Sequence, residues 1–294
     1  MKLNVLINKG VETISVMFPQ REAREMVLRY LEDRHGIRRL THIMEPSYEV
    51  PTEVAASCLS AFDRMASGEP LQYVTGKADF YGREFAVSPA VLIPRQETEI
   101  LCKSVLESIS AKHISSFAGI SVLDLCTGSG CIAWTLALEM PGAKVTAVDI
   151  SEEALAVAMS QEFSAEMARS GAQTPVFIKG DVLLPGALQV SGKFDIIVSN
   201  PPYVMESEKT LMRSNVLDHE PSLALFVSDE DPLIFYRAVV QIACERLSDN
   251  GLCMVEINEA LGEETAELFS TAGFPDTEVV KDLNDRDRFV VARR

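Results

Sequence analysis

The residues with the plainest chemical use in this chain are Asn200-Pro201-Pro202-Tyr203. An Asn side-chain oxygen and the carbonyl of the residue after it are two neighbouring acceptors, and a planar –NH2 group offers two donors at matching separation. An amine or amide held by both hydrogens presents its nitrogen in one direction, and Tyr203 offers a flat surface to pack beside it. Asn200, Pro201 and Tyr203 are therefore the candidates for holding a reacting nitrogen. Asn-Pro and Pro-Pro are also common turn punctuation. The tetrapeptide takes its weight from what precedes it.

What precedes it is a glycine turn, Cys126-Thr127-Gly128-Ser129-Gly130, in which Gly128 and Gly130 let the backbone approach a ligand closely. Asp149 lies 21 residues beyond Gly128, the spacing at which an acid ending the next strand meets a ribose hydroxyl. The dinucleotide fingerprint G-x-G-x-x-G would place Cys126 first and Cys131 last, so it fits at one glycine of three. Asp124-x-x-x-Gly128-x-Gly130 with Asp149 suits instead a nucleoside that carries an amino acid and no phosphate. Asp181, at a third strand end, could accept from an adenine amino group.

These residues need a frame that brings strand ends together. Phe194 and Ile196–Val198 read as a short strand buried on both faces, which is the pattern of a central parallel strand. Pro201 and Pro202 have no N–H for a sheet ladder, and Pro201 biases Asn200 toward an extended backbone. The tetrapeptide thus forms a stiff shelf at the carboxyl edge, where open α/β sheets bind ligands. Strands are expected at Ser121–Leu125, Ala143–Val148, Val176–Ile178 and Gly251–Ile257 besides, with an antiparallel pair near Thr277–Asp282 and Arg288–Ala292. Helices alternate with them, at Cys131–Met140 and from Ser151. Serial βα units of this kind give a doubly wound, Rossmann-like sheet.

The first 75 residues are different. Leu3, Leu6, Ile7, Val11 and Ile14 share a helical face, as do Ala23, Met26, Val27, Tyr30 and Leu31, and then Ala55, Cys58, Leu59, Phe62 and Met65. His35-Gly36 and Ser67-Gly68 end the second and third of these helices. The expected organisation is a helical domain over 1–75, a hairpin linker over 76–94 around Phe80-Tyr81-Gly82, and an α/β domain over 95–294. Pro94, Glu97 and Glu99 suit a helix's first turn. Arg95 and Glu97 are expected at the mouth of the site.

Composition narrows the function classes. The 294 residues are 47% hydrophobic and 24% charged, as in an ordinary soluble globular protein. No apolar run approaches the ~18 residues that span a bilayer, and the first residues lack the apolar stretch of a signal peptide. Six scattered cysteines without C-x-x-C pairs, and no histidines at ligand spacing, read as free thiols in a reducing cytoplasm and not as a metal site. With 27 basic and 43 acidic residues the formal charge is −16. Non-specific nucleic-acid binding draws on Lys and Arg, so the balance favours a small-molecule or protein partner.

Taken together, Leu123–Gly130, Asp149 and Asn200–Tyr203 resemble the class I S-adenosylmethionine-dependent methyltransferases that act on amino or amide nitrogen. Glu69–Gly76, Phe80-Tyr81-Gly82, Ile93–Glu99 and the late Asp282–Arg288 segment resemble, within them, the peptide chain release factor glutamine methyltransferases. The match covers nearly the whole chain. Asn-Pro-Pro-Tyr alone is shared with nucleic-acid adenine methylases.

The resemblance implies a mostly parallel sheet with an antiparallel final strand, a small N-terminal helical domain and a hairpin. It implies S-adenosylmethionine as cofactor and S-adenosylhomocysteine as product. Thr127, Gly128, Ser129 and Gly130 would hold the methionine part and Asp149 the ribose, Asp181 and Val182 would flank the adenine, and Asp124, Cys126 and Asn200 would complete the cofactor site. Asn200, Pro201, Pro202 and Tyr203, with Arg95 and Glu97, would hold the glutamine of a Gly-Gly-Gln loop in bacterial release factors, which the helical domain would dock. The family usually has Gly where this chain has Cys126. A side chain at positive φ costs about 1 kcal/mol or more, so Cys126 is expected at negative φ. The competing readings are a ribosomal-protein glutamine methyltransferase, a nucleic-acid adenine methylase, which would extrude its base and want a basic face, and a non-catalytic cofactor-binding module.

Overall fold

The computed structural model describes residues 1–110, 116–282 and 284–294. Leu283, within the late segment quoted above, lies outside the described residues. Two compact units are present: Met1–Lys77 with Met212–His219, and Ala78–Leu211 with Glu220–Arg294.

The first unit is built on the helices Leu3–Ile14, Gln20–His35 and Thr52–Ala66, with short turns at Thr41–Met44 and Leu71–Thr75. The periodic apolar residues form its core, Leu6, Val27, Cys58 and Phe62 being fully buried, while Leu59 is only half-buried. Gly36 stops the second helix in a left-handed conformation, φ 65°, with its N–H on the Glu32 carbonyl. The one-turn helix Leu71–Thr75 was not foreseen. Five residues bounded by Pro70 and Gly76 are too short for a helical period to show.

The second unit opens on a hairpin of β1 (Lys77–Phe80) and β2 (Arg83–Ala86). Its two-residue loop, Tyr81-Gly82, has positive φ at both positions, 51° and 70°, as a primed turn requires. The segment expected as a linker is packed into this unit, because its aromatic residues need burial: Phe80 meets Phe85 edge-on at 5.9 Å, and Phe85 meets Phe163 at 5.0 Å. Gln161 fastens the hairpin's second strand, accepting from Ala86 N at 2.8 Å and donating to the Ala86 carbonyl at 2.9 Å. Arg83, mostly buried, donates to Glu166 and Glu139.

Next come the helix Gln96–Ser110 and the strands β3 (Ser121–Leu125), β4 (Lys144–Asp149), β5 (Val176–Lys179) and β6 (Phe194–Ser199). A small parallel pair, β7 (Val204–Met205) with β8 (Phe226–Val227), follows the tetrapeptide, and β9 (Leu247–Glu256), β10 (Asp276–Lys281) and β11 (Asp287–Arg293) end the chain. The main sheet has seven strands in the order β10-β11-β9-β6-β3-β4-β5, all running one way except β11. This is the mostly parallel α/β sheet with an antiparallel final strand. Side-chain alternation serves both faces: Val122, Ile196 and Met254 pack beneath Trp134 and Leu101, whereas Leu123, Ile197 and Val255 pack beneath Tyr236 and Phe269.

The topology decides where a site can form. From β3 the chain moves outward through β4 to β5, then returns to lay β6 on β3's other side. The loops leaving β3 and β6 therefore diverge, opening a crevice at the carboxyl edge. Register sharpens it, since Leu125 pairs with both Val148 and Ser199, and Ser199 with Val255.

Arg83→Ala should lower the unfolding free energy by about 2–4 kcal/mol, because it leaves two part-buried carboxylates without their cation. Arg293→Ala, whose guanidinium lies a third exposed beside Asp276 and Glu278, should cost less than about 1 kcal/mol. Urea denaturation midpoints of the two variants would show the difference.

Candidate active site

The crevice is a cavity of about 340 Å³ walled by the ends of the strands. Its floor holds Cys126, Thr127, Gly128 and Ser129 from the turn after β3, Asp149 at the end of β4, Gly180, Asp181 and Val182 after β5, and Asn200 and Pro202 after β6. Arg95 and Thr98 reach it from the start of the helix Gln96–Ser110. Of the residues singled out in the sequence, Asp124, Gly130, Pro201, Tyr203 and Glu97 are not among those lining it.

The turn after β3 is stiff. Asp124 is fully buried and accepts from the Thr127 hydroxyl at 2.6 Å, so it supports the turn from below and does not reach the cavity. Burial, with the charge of Asp149 adding to it, pushes the Asp124 carboxyl up to about 7, against the pull of the Thr127 hydroxyl. Thr127 N donates to the Val148 carbonyl at 3.0 Å, and Gly128 N to Asp149 Oδ2 at 2.8 Å. A Cβ on Gly128 would meet no protein atom within 4 Å, as expected where a backbone faces open space. Gly130 is different. A Cβ there would stand 3.0 Å from Ala158 Cβ and 3.1 Å from Trp134, so this glycine lets a helix pack closely, and it is not among the residues lining the cavity.

Cys126 corrects a second expectation: its φ is 60°, in the left-handed region. The chain must turn sharply at the end of β3 so that Thr127 can return its N–H to β4, and Cys126 takes that conformation despite its Cβ. Its side chain packs partly on the apolar cluster beneath Tyr236. Burial, with the neighbouring carboxylates, pushes its thiol well above the usual range, so it is no ready nucleophile.

Asp149 is the best-held acid of the group. Its Oδ1 accepts from Ser151 N at 3.0 Å while Oδ2 accepts from Gly128 N. Burial raises its pKa, and those N–H groups oppose the rise. Each oxygen keeps a lone pair for a further donor. Asp181 accepts from Leu183 N at 2.9 Å, and Val182 is buried beside it.

At the end of β6 the sequence reading missed the residues that matter most to Asn200. Asn200 Nδ2 lies 3.0 Å from Thr98 Oγ1, and Thr98 Oγ1 donates to Glu256 Oε2 at 2.7 Å. Glu256 ends β9 one position past Val255, which pairs with Ser199, so it sits level with Asn200. Its other oxygen accepts from the Tyr203 hydroxyl at 3.0 Å. Burial pushes the Glu256 carboxyl up, while the Thr98 and Tyr203 hydroxyls and the Arg288 charge act to lower it. Tyr203 is thus a strut, half-buried, held also through its carbonyl by Asn258 Nδ2 at 3.2 Å. One signal for Glu256 was present in the chain: a single acid inside the apolar run Leu252–Ile257 is costly to bury unless something needs it there.

Arg95 does line the cavity, where its Nη2 donates to Glu220 Oε1 at 2.6 Å. Glu220 is nearly fully buried and its other oxygen takes Ile93 N, so it ties the Ile93–Arg95 wall to the Pro221–Ala224 wall.

Known proteins agree with this frame. The Methyltransferase small domain family matches residues 100–220, and the PrmC N-terminal domain matches residues 14–76. A release factor glutamine methyltransferase of Bacteroides thetaiotaomicron is 38% identical over 286 residues, spanning 96% of this chain and 97% of the relative. One from Flavobacterium psychrophilum is 36% identical over 280 residues, 95% of each chain. The chain belongs to the release factor glutamine methyltransferase family. A solved protein-(glutamine-N5) methyltransferase from Alicyclobacillus acidocaldarius is 27% identical over 71% of this chain and 99% of its own, with a TM-score of 0.40.

Within this release factor glutamine methyltransferase family member, no helix among the described residues is long and apolar enough to cross a membrane. Nor does any group of three or more His, Cys, Asp and Glu among them stand ready to hold a metal ion.

Two measurements would check the turn. Asp124 binds a proton in the folded state between its ordinary value of 3.8 and about 7, so stability should fall as pH rises through that window. Asp124→Asn should flatten that slope in melts recorded from pH 4 to 8. Cys126→Gly should leave stability within about 1 kcal/mol, relief of the left-handed strain offsetting lost packing, whereas Cys126→Val should cost more than about 1 kcal/mol.

Proposed function

We propose that this protein transfers a methyl group from S-adenosylmethionine to the side-chain amide nitrogen of the glutamine in the Gly-Gly-Gln loop of peptide chain release factors. The observation that carries this reading is that Asn200, its Nδ2 bonded to Thr98, lines the cavity beside a glycine turn and two strand-end acids. Family membership supports the substrate class.

The cavity fits the cofactor by its donor set. The open backbone at Gly128 with Thr127 and Ser129 suits the methionine part, the spare lone pairs of Asp149 suit ribose hydroxyls, and Asp181 with Val182 suits an adenine edge and face. When bound, S-adenosylmethionine supplies an electrophilic methyl whose C–S bond breaks, its electrons staying on sulfur, as the nitrogen bonds to carbon.

The chain's own residues do the rest by position. A carboxamide nitrogen is a weak nucleophile because its lone pair is delocalised into the carbonyl. Fixing it in line at near-attack distance can supply roughly 7–11 kcal/mol. Asn200 Oδ1, with the Pro201 carbonyl as second acceptor, would take the two amide hydrogens. These bonds strengthen as the nitrogen gains positive charge, so they favour the transition state over the ground state. No base is needed beforehand, since the amide proton becomes acidic only after transfer and then passes to solvent water. In this reading the helical unit docks the release factor, Arg95 borders the entrance, and the reaction takes place in the cytoplasm, where the six free cysteines stay reduced.

Incubation with methyl-labelled S-adenosylmethionine and either a release factor, its Gly-Gly-Ala variant, a ribosomal protein or an oligonucleotide should label only the first. Label on the oligonucleotide or on the Gly-Gly-Ala form would overturn the assignment. Asn200→Ala should lower kcat by at least about 100-fold while cofactor affinity changes less than about threefold; equal loss of both would show that Asn200 serves the cofactor and not the amide.

A further inference from the structure

The structure assigns to Thr98 and Glu256 the role of positioning residues that set which atom of Asn200 faces the substrate. The case rests on counting hydrogens. Glu256 Oε2 accepts from Thr98 Oγ1 at 2.7 Å and Oε1 accepts from the Tyr203 hydroxyl at 3.0 Å. While Glu256 is ionised, the form its two hydroxyl donors and the Arg288 charge favour against burial, it has no hydrogen to give, so the single hydroxyl hydrogen of Thr98 is spent on it. Thr98 Oγ1 can then only accept, and the Asn200 atom 3.0 Å away must be the NH2 nitrogen. The other end of the carboxamide, Oδ1, is left turned from Thr98 as an acceptor.

This chain of bonds is buried. Thr98 is 2% exposed and Glu256 1%. A reversed Asn200 would set two acceptors, its Oδ1 and Thr98 Oγ1, against each other in a low-dielectric setting. The consequence is a filter. A site that presents only an acceptor takes a primary amide by its N–H and rejects the carboxylate of a glutamate, which has no hydrogen to offer. The three residues lie 102 and 158 positions apart in the chain and meet only because β6 and β9 end in register beside the start of a helix.

The part of this inference that concerns glutamine rests on the function proposed above; the part that concerns Asn200's orientation does not. Three proteins decide it: wild type, Thr98→Val, which keeps the shape and removes the hydroxyl, and Thr98→Ser, which restores it. Circular dichroism and melting establish that all are folded. The first readout needs no substrate. With 15N-asparagine labelling, the Asn200 side-chain NH2 signal, identified by its loss in Asn200→Ala, should exchange slowly with solvent in wild type and Thr98→Ser and at least about tenfold faster in Thr98→Val. Equal exchange in all three would overturn the orientation. The second readout is discrimination. Thr98→Val should lose at least about tenfold of the preference for a Gly-Gly-Gln release factor over its Gly-Gly-Glu form, measured as KM for the first against the inhibition constant of the second as competitor, with KM for the cofactor changed less than about threefold, and Thr98→Ser should regain it. An unchanged preference in Thr98→Val would overturn the filter. Failure of the wild type to label the release factor would instead count against the proposed substrate, leaving the exchange result to stand by itself.

Discussion

The site depends on strands that stop together. Leu125, Val148, Ser199 and Val255 occupy matching levels of four adjacent strands, so the next residue on each, Cys126, Asp149, Asn200 and Glu256, emerges along one line. No loop has to bend far to bring a turn, a ribose-type acceptor, a carboxamide and a buried acid within reach of one another. The β3–β6 pairing is the decisive one. It places the switch in winding direction beneath the cavity.

The walls themselves are held by a few buried polar contacts, not by apolar packing alone. Glu220 links two stretches of wall through Arg95 and Ile93 N. Asp149 links two turns. Asn258 holds the Tyr203 carbonyl and Glu208 together. Each is a buried or half-buried group with at least one partner supplied by backbone N–H or C=O, the arrangement in which a polar group in a low-dielectric interior stiffens its surroundings.

Much of this was readable in the chain because the signals were local. Apolar runs with glycine or proline stops gave the sheet strands within a few residues, and Asn200-Pro201-Pro202 announced a stiff shelf. What could not be read were properties that arise only when distant residues meet. Gly130 looked like a ligand-facing glycine until Ala158 and Trp134 stood behind it. Asp124 looked like a binding acid until the strand turned it inward. Cys126 looked incompatible with positive φ because propensity was weighed without the bond that Thr127 makes to β4. Thr98 and Glu256 carry no motif of their own. Nor did the sequence show that the Tyr203 hydroxyl would reach Glu256.

The clamp at Gln161 bears on what the molecule handles. Its Nε2 donates to the Ala86 carbonyl at 2.9 Å and to the Ser129 carbonyl at 3.1 Å, while its Oε1 takes Ala86 N at 2.8 Å. Here a glutamine carboxamide is seized by both of its nitrogen-borne hydrogens, on the reverse side of the very loop that borders the cavity. The fold therefore carries an internal specimen of a carboxamide gripped through its nitrogen, built from two main-chain oxygens and buried within the protein.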